Sequence, residues 1–282
     1  MRHLKTLTGA LAVAAAVCSS CSSPIREDRT ACPATLFFEF LDSQGIGPAE
    51  LMYLEAAPVL GPESRVTDTT TVGAMTDRSY SLQVRRSDAI SIYGMACFGN
   101  SRIEKGSGWV VDQQQDGDRL YRFSARAEGM DESAVIPVEM TKEHCTIRVR
   151  FKEFDPGDLP GRFPYRVVIS ANTCGIDLHS GVPVTGPYRY APPEKMAGEF
   201  EFTVPRQGDN SLTLELWALE ADEENEDPQD TILLWNLLKQ VEGFSWELKN
   251  LPDITVEIDY IRSEVTLSIT DWQTETIINY AT

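Results

Sequence analysis

An enzyme built on this chain would need a nucleophile, a base beside it and a group to orient that base. The histidines are His3, His144 and His179, and the cysteines are Cys18, Cys21, Cys32, Cys97, Cys145 and Cys174. His144 adjoins Cys145, which on paper is a thiol–imidazole pair. Neighbours on an extended strand point to opposite faces, so the two side chains cannot meet. His179 lies in Asp177-Leu178-His179-Ser180-Gly181, with no residues around it that complete a triad. The chain has no G-x-S-x-G, no phosphate loop and no H-E-x-x-H. It therefore reads as a non-enzyme, with no catalytic residue and no cofactor.

Two acidic stretches invite a calcium reading. Asp112-Gln113-Gln114-Gln115-Asp116-Gly117-Asp118 has aspartates and a glycine near EF-hand positions, but Phe123 stands where the bidentate glutamate is required. A hairpin tip at Asp116–Gly117 is the better reading. The run Glu220–Asp230 carries seven acidic residues and reads as a solvated loop. No metal site is expected. Of the tryptophans, Trp109 and Trp217 sit in apolar alternation and belong to a core. Trp235 and Trp246 bracket a short helical pattern and leave a sugar-stacking role open, and with it a glycan-binding protein as an alternative.

The cysteine chemistry is of another kind. Arg2 and Lys5 precede an alanine-rich apolar stretch from Leu7 to Val17, too short to span a bilayer. Ser19 and Ser20 then lead to Cys21 and a polar run. This is the anatomy of an export leader cut ahead of an acylated cysteine. The expected parts are a leader over residues 1–20, lipidation at Cys21 and a tether over 21–31. Cys18 is a poorer acceptor because bulky Val17 precedes it. Loss of the leader removes two positive charges and takes the net charge from −18 to −20. That excess excludes nucleic acid as a partner and disfavours docking on anionic headgroups. The membrane partner is then lipid reached through the acyl chains on Cys21.

In an exported chain the remaining Cys32, Cys97, Cys145 and Cys174 allow three disulfide connectivities. Cys145 opens the run Thr146–Phe151 and Cys174 closes the run Tyr165–Asn172, with Asp155-Pro156-Gly157 and Leu159-Pro160-Gly161 between them. If these runs form a hairpin, the two cysteines face each other at bridging distance. Cys32–Cys97 is the remaining pair, and buried free thiols are the alternative.

The elements that must carry these residues are short strands. Leu36–Leu41, Tyr80–Val84, Ala89–Tyr93, Trp109–Val111, Leu120–Phe123 and Val135–Met140 make one half. Ile147–Phe151, Arg166–Ile169, Glu199–Val204, Leu212–Trp217, Ile254–Ile258 and Val265–Ile269 make the other. Period-two alternation punctuated by Gly, Pro, Asn and Asp predicts stacked sheets. Only Ile232–Val241 has helical spacing, and Gly243 ends it. The expectation is an all-β protein of two tandem sandwiches, over 32–141 and 142–282, with one short helix in the second.

Several segments together resemble the fimbrillin-type (FimB-like) anchor lipoproteins of Bacteroides-like bacteria. They are Cys21 followed by Pro24–Arg29, Cys32-Pro33 before a strand, Gly198–Phe202, Pro205–Leu212, Leu251-Pro252-Asp253-Ile254 and Ile269-Thr270-Asp271-Trp272. The resemblance implies transthyretin-like sandwiches and a lipid-anchored place at the cell outer membrane. It also implies a role in anchoring a fimbria and limiting its length, with a fimbrial pilin as partner. Such subunits join by strand exchange, a form of β-augmentation. On this chain Leu36–Leu41 would be the retained first strand. Val265, Leu267, Ile269, Trp272, Ile277 and Tyr280 would be the contacts to the next subunit, unless that strand completes its own sheet. A cut after Arg65 would instead make an accessory or tip pilin starting at Val66.

Overall fold

The computed structural model describes residues 32–59, 64–104, 107–128, 132–152, 154, 161–222, 226–259, 264–270 and 275–281. The predicted leader, the tether and Cys21 lie outside the described residues, and so does Trp272. No helix among the described residues is long and apolar enough to cross a membrane.

The chain is all-β. In the first sandwich a three-stranded sheet, β4 (Ser81–Arg85), β1 (Pro33–Asp42), β9 (Ser133–Glu139), packs on a five-stranded one. The latter runs β10 (Thr141–Lys142), β8 (Tyr121–Glu128), β5 (Ala89–Ala96), β2 (Leu51–Pro58), β3 (Val66–Thr71). Strand alternation turns Ala34, Leu36 and Phe38 inward to meet Leu54, Ile90 and Ile92 in one core. Each large apolar side chain buried this way contributes about 1.5–3 kcal/mol.

The second sandwich has two six-stranded sheets. One runs β14 (Glu194–Met196), β15 (Glu199–Pro205), β11 (His144–Lys152), β18 (Asp253–Asp259), β19 (Glu264–Thr270), β20 (Glu275–Ala281). The other is built on the long β12 (Tyr165–Asp177). One edge of β12 pairs with β13 (Pro183–Tyr190), the other with β16 (Thr213–Ala218) and then β7 (Gly108–Val111). β17 (Asp230–Ile232) and β6 (Ser101–Ile103) flank these. The outer face of the first of these sheets carries a ladder of ion pairs, among them Arg148–Glu201 at 2.7 Å and Lys152–Glu257 at 2.6 Å.

The two sandwiches repeat one plan. β1 lies between antiparallel β4 and parallel β9, and β11 lies between antiparallel β15 and parallel β18. β19 and β20 extend the second sheet beyond β18, where the three-stranded sheet of the first sandwich ends at β9.

Two expectations are corrected. β11 and β12 do not form a hairpin; they lie in different sheets facing one core. The turn signal at Asp116–Gly117 makes no hairpin either, because β7 pairs with β6 and β12 while β8 pairs with β5 and β10. Instead the loop docks on β15: Thr203 N donates to Asp116 Oδ1 at 2.8 Å and Gly117 N donates to the Thr203 carbonyl at 3.1 Å. A side chain at Gly117 would meet that carbonyl, which is why glycine stands there. The β6–β7 hairpin precedes residue 141 in sequence and pairs with β12 of the second sandwich. The helical run is a single turn, α2 (Leu234–Leu238), and a turn α1 (Val72–Thr76) precedes it in the first sandwich.

Candidate functional site

Three regions of the structure present edges, seams or surfaces that bear on function. The first is β1. It is the central strand of its sheet, with Leu36 fully buried and Phe38 nearly so. Its outward face shows Phe37, 40% exposed, opposite Val135 on β9. β1 and β2 precede Arg65, so a cut there would detach an interior strand from each sheet of the first sandwich. Arg65 itself pairs with buried Glu55 at 3.2 Å.

The second region is the seam between the sandwiches, where sequence reasoning found nothing. Trp109 of the crossing hairpin packs edge-on against Tyr53 and Phe98, beside Met95, Leu120, Ile176 and Leu178. Glu55 Oε1 of β2 accepts from His179 Nε2 of the β12–β13 turn at 2.7 Å. Glu143, in the link between β10 and β11, takes Arg206 at 2.6 Å and Arg122 at 3.2 Å. Arg206 also donates to the carbonyls of Trp246, Leu248, Lys142 and Lys249, so one guanidinium ties the link to the 246–249 segment. His144 is buried against Tyr121, and its Nδ1 lies 3.0 Å from the Leu120 carbonyl. Burial, with Lys142 nearby, pushes its pKa down to about 3, so the ring is neutral. Within the seam a local signal marks Glu55, an acidic side chain inside the apolar run Leu54-Glu55-Ala56.

The third region is the end of the second sandwich. β20 ends its sheet, and its outer edge has no strand partner among the described residues. Such an edge offers a row of backbone donors and acceptors to another strand. In register, Val265 stands opposite Ile258 and Tyr280, Leu267 opposite Val256 and Ile278, and Ile269 opposite Ile254 and Thr276. Positions opposite one another share a face of a sheet, and Ile254, Val256 and Ile258 are buried core. Ile277 stands opposite Ser268, one position out of step with these residues.

The cysteines do not pair: Cys32, Cys97, Cys145 and Cys174 are all free thiols. The Cys145–Cys174 expectation fails because the hairpin it needed does not form. Cys145 Sγ donates to the Pro252 carbonyl at 3.2 Å, on a side of β11 away from the His144 ring. Cys174 Sγ lies near the Val184 carbonyl, 3.7 Å away. Burial raises both thiol pKa values. Cys97 is pushed up to about 12 by burial and by Glu50. The aspartates of the 112–118 loop each serve the protein: Asp112 holds Arg102, Asp116 caps Thr203 and Asp118 takes the backbone N–H groups of Asn100 and Ser101. No cluster fit for a metal ion occurs among the described residues.

No family model matches the chain, and no curated protein does. Solved structures do. The fimbrial anchor protein Mfa2 from Porphyromonas gingivalis superposes with a TM-score of 0.60 at 11% identity, covering 86% of this chain and 98% of that one. A candidate polysaccharide-binding protein from Bacteroides thetaiotaomicron gives 0.60 at 10% identity, covering 88% and 98%. A candidate adhesin from the same organism gives 0.55 at 12% identity, covering 87% and 97%. At such identities the likeness is one of fold. Over nearly its whole length, this chain has the fold that those three proteins share.

Proposed function

We propose that this protein is a fimbrial anchor: a lipoprotein held in the outer membrane through acylated Cys21, which binds a pilin by strand exchange and so ends the fibre. The observation that carries the reading is the position of β1. It is the central, buried strand of its sheet, and the chain that leads to it comes directly from the tether. A subunit that keeps this strand has no groove to receive one from a neighbour, so growth stops at it. The free edge of β20 supplies the complementary contact, with backbone hydrogen bonds giving affinity. The seam serves the same task. Load entering at the C-terminal strands crosses Arg206–Glu143 and Glu55–His179 to reach β1 and the lipid. The fold shared with a fimbrial anchor protein supports the reading.

The test is the mature N-terminus in the cell envelope. Mass spectrometry that finds diacylglyceryl-Cys21 supports the anchor. A chain beginning at Val66 overturns it in favour of a polymerising accessory or tip subunit.

A further inference from the structure

The second sandwich has a cleft that anchoring does not use. It measures 580 Å³ and lies between the connection after β15 and the 245–249 segment, with Trp235 and Trp246 in its wall. Trp235 is half-buried, so part of its ring remains open to solvent. Gln207 is 3% exposed and Trp246 is 7% exposed. Both line the cleft, and both carry a buried polar atom without a hydrogen-bond partner, Gln207 Oε1 and Trp246 Nε1. The Gln207 amide is fixed, because its Nε2 donates to the Pro205 carbonyl at 2.7 Å. One acceptor and one donor on cleft-lining residues therefore have no partner in the protein. Buried polar groups in folded proteins rarely go without a partner, and each one that does calls for an explanation.

The charges narrow the ligand class. Arg122 and Arg206 share the one carboxylate of Glu143, and Lys249 pairs with Glu139. Asp209 and Glu247, both exposed, add two more carboxylates to the lining. Four carboxylates against three cations disfavour an anionic ligand. A ligand rich in hydroxyl groups can give to Glu247 and Gln207 Oε1, take from Trp246 Nε1, and lay an apolar C–H face on the Trp235 ring. A concave site with aromatic rings and a few convergent polar groups is a usual form of small-ligand cleft, and the volume lies within its range of about 300–1,000 Å³.

We infer that this cleft binds a neutral saccharide, one or two residues of a polysaccharide chain, with Trp235 as the stacking platform. The inference is independent of the anchor reading.

The experiment is native affinity electrophoresis of the purified full chain in gels containing yeast mannan, laminarin or dextran, with heparin as the anionic comparison. Retardation by at least one neutral polysaccharide and none by heparin is expected. Trp235→Ala should weaken the retarding interaction at least tenfold. Asn210→Ala and Glu247→Ala change only exposed positions and should each weaken it severalfold with unchanged melting temperature. Failure of all three neutral polysaccharides to retard the protein overturns the inference. So does retardation by heparin alone, or retention of full binding by the Asn210 and Glu247 variants.

Discussion

Arg206 Nε and Glu143 Oε2 stand 2.6 Å apart in the seam, with 11% and 2% of their side chains exposed. The pair does not act alone, since the guanidinium also holds carbonyls of the link and of the 246–249 segment. Removing one partner of a buried pair costs about 3–5 kcal/mol when the other charge is left uncompensated; here Arg122 remains 3.2 Å from Glu143 and holds the loss to the low end of that range. Arg206→Met should therefore lower unfolding stability by that amount in urea titrations. Wild type should unfold in one transition, because the seam couples the sandwiches; two well-separated transitions would contradict that coupling.

Gly175 on β12 is where the crossing hairpin comes closest. A Cβ there would lie 1.9 Å from the Trp109 carbonyl oxygen, a contact no rotamer relieves because the obstacle is backbone. Gly175→Ala should cost about 2–3 kcal/mol. Amide exchange should speed up at Val110, its register partner. Unchanged exchange at Val110 would mean that the hairpin is not held by this pairing.

His144 makes stability depend on pH. Its folded pKa is near 3 and its unfolded value is near 6.5. Between those values the unfolded chain binds the extra proton, so stability rises with pH and is lost as pH falls through this window. The cause is burial, then repulsion from Lys142 and Arg119, partly offset by the Leu120 carbonyl and Asp253. The contribution is about 3 kcal/mol lost between pH 6.5 and pH 4. His144→Gln should flatten the stability profile over that range relative to wild type.

The thiols give a direct reading of the corrected connectivity. Cys32 is exposed, Cys97 is half-buried with its pKa pushed to about 12, and Cys145 and Cys174 are buried. A thiol reagent at pH 8 should label Cys32 at once in the folded protein. Cys97, Cys145 and Cys174 should follow only on unfolding. Fewer than four free thiols among these positions in the unfolded, unreduced protein would restore a disulfide.

The strands were legible because alternation is local: Glu199–Val204 and Ile254–Ile258 fall on β15 and β18 within a residue. β3 was not, since Val66-Thr67-Asp68-Thr69-Thr70-Thr71 is a largely exposed edge strand with no apolar stripe. Pairing was the larger loss. Ile147–Phe151 and Tyr165–Asn172 look like neighbours across a turn. Their true partners, however, are set by which apolar faces meet in the core, and β11 pairs in parallel with a strand more than a hundred residues away. The same holds for Asp116–Gly117, whose composition suits a tight turn but whose position is fixed by Thr203. Seam residues such as Glu143 and Arg206 gain their roles from elements distant in sequence, so no local pattern marks them. Trp235 and Trp246 were singled out by their place around the helix, but Gln207, which lines the same cleft, was not.

The central claim is that this subunit ties a fibre to the cell. Electron microscopy of cells with the gene deleted, and of cells carrying Cys21→Ala, measures it most directly by counting fimbriae on cells and in the medium. The account predicts few attached fibres and abundant, longer fibres shed into the medium in both strains. Fibres that stay attached at wild-type number and length in the deletion strain would contradict it.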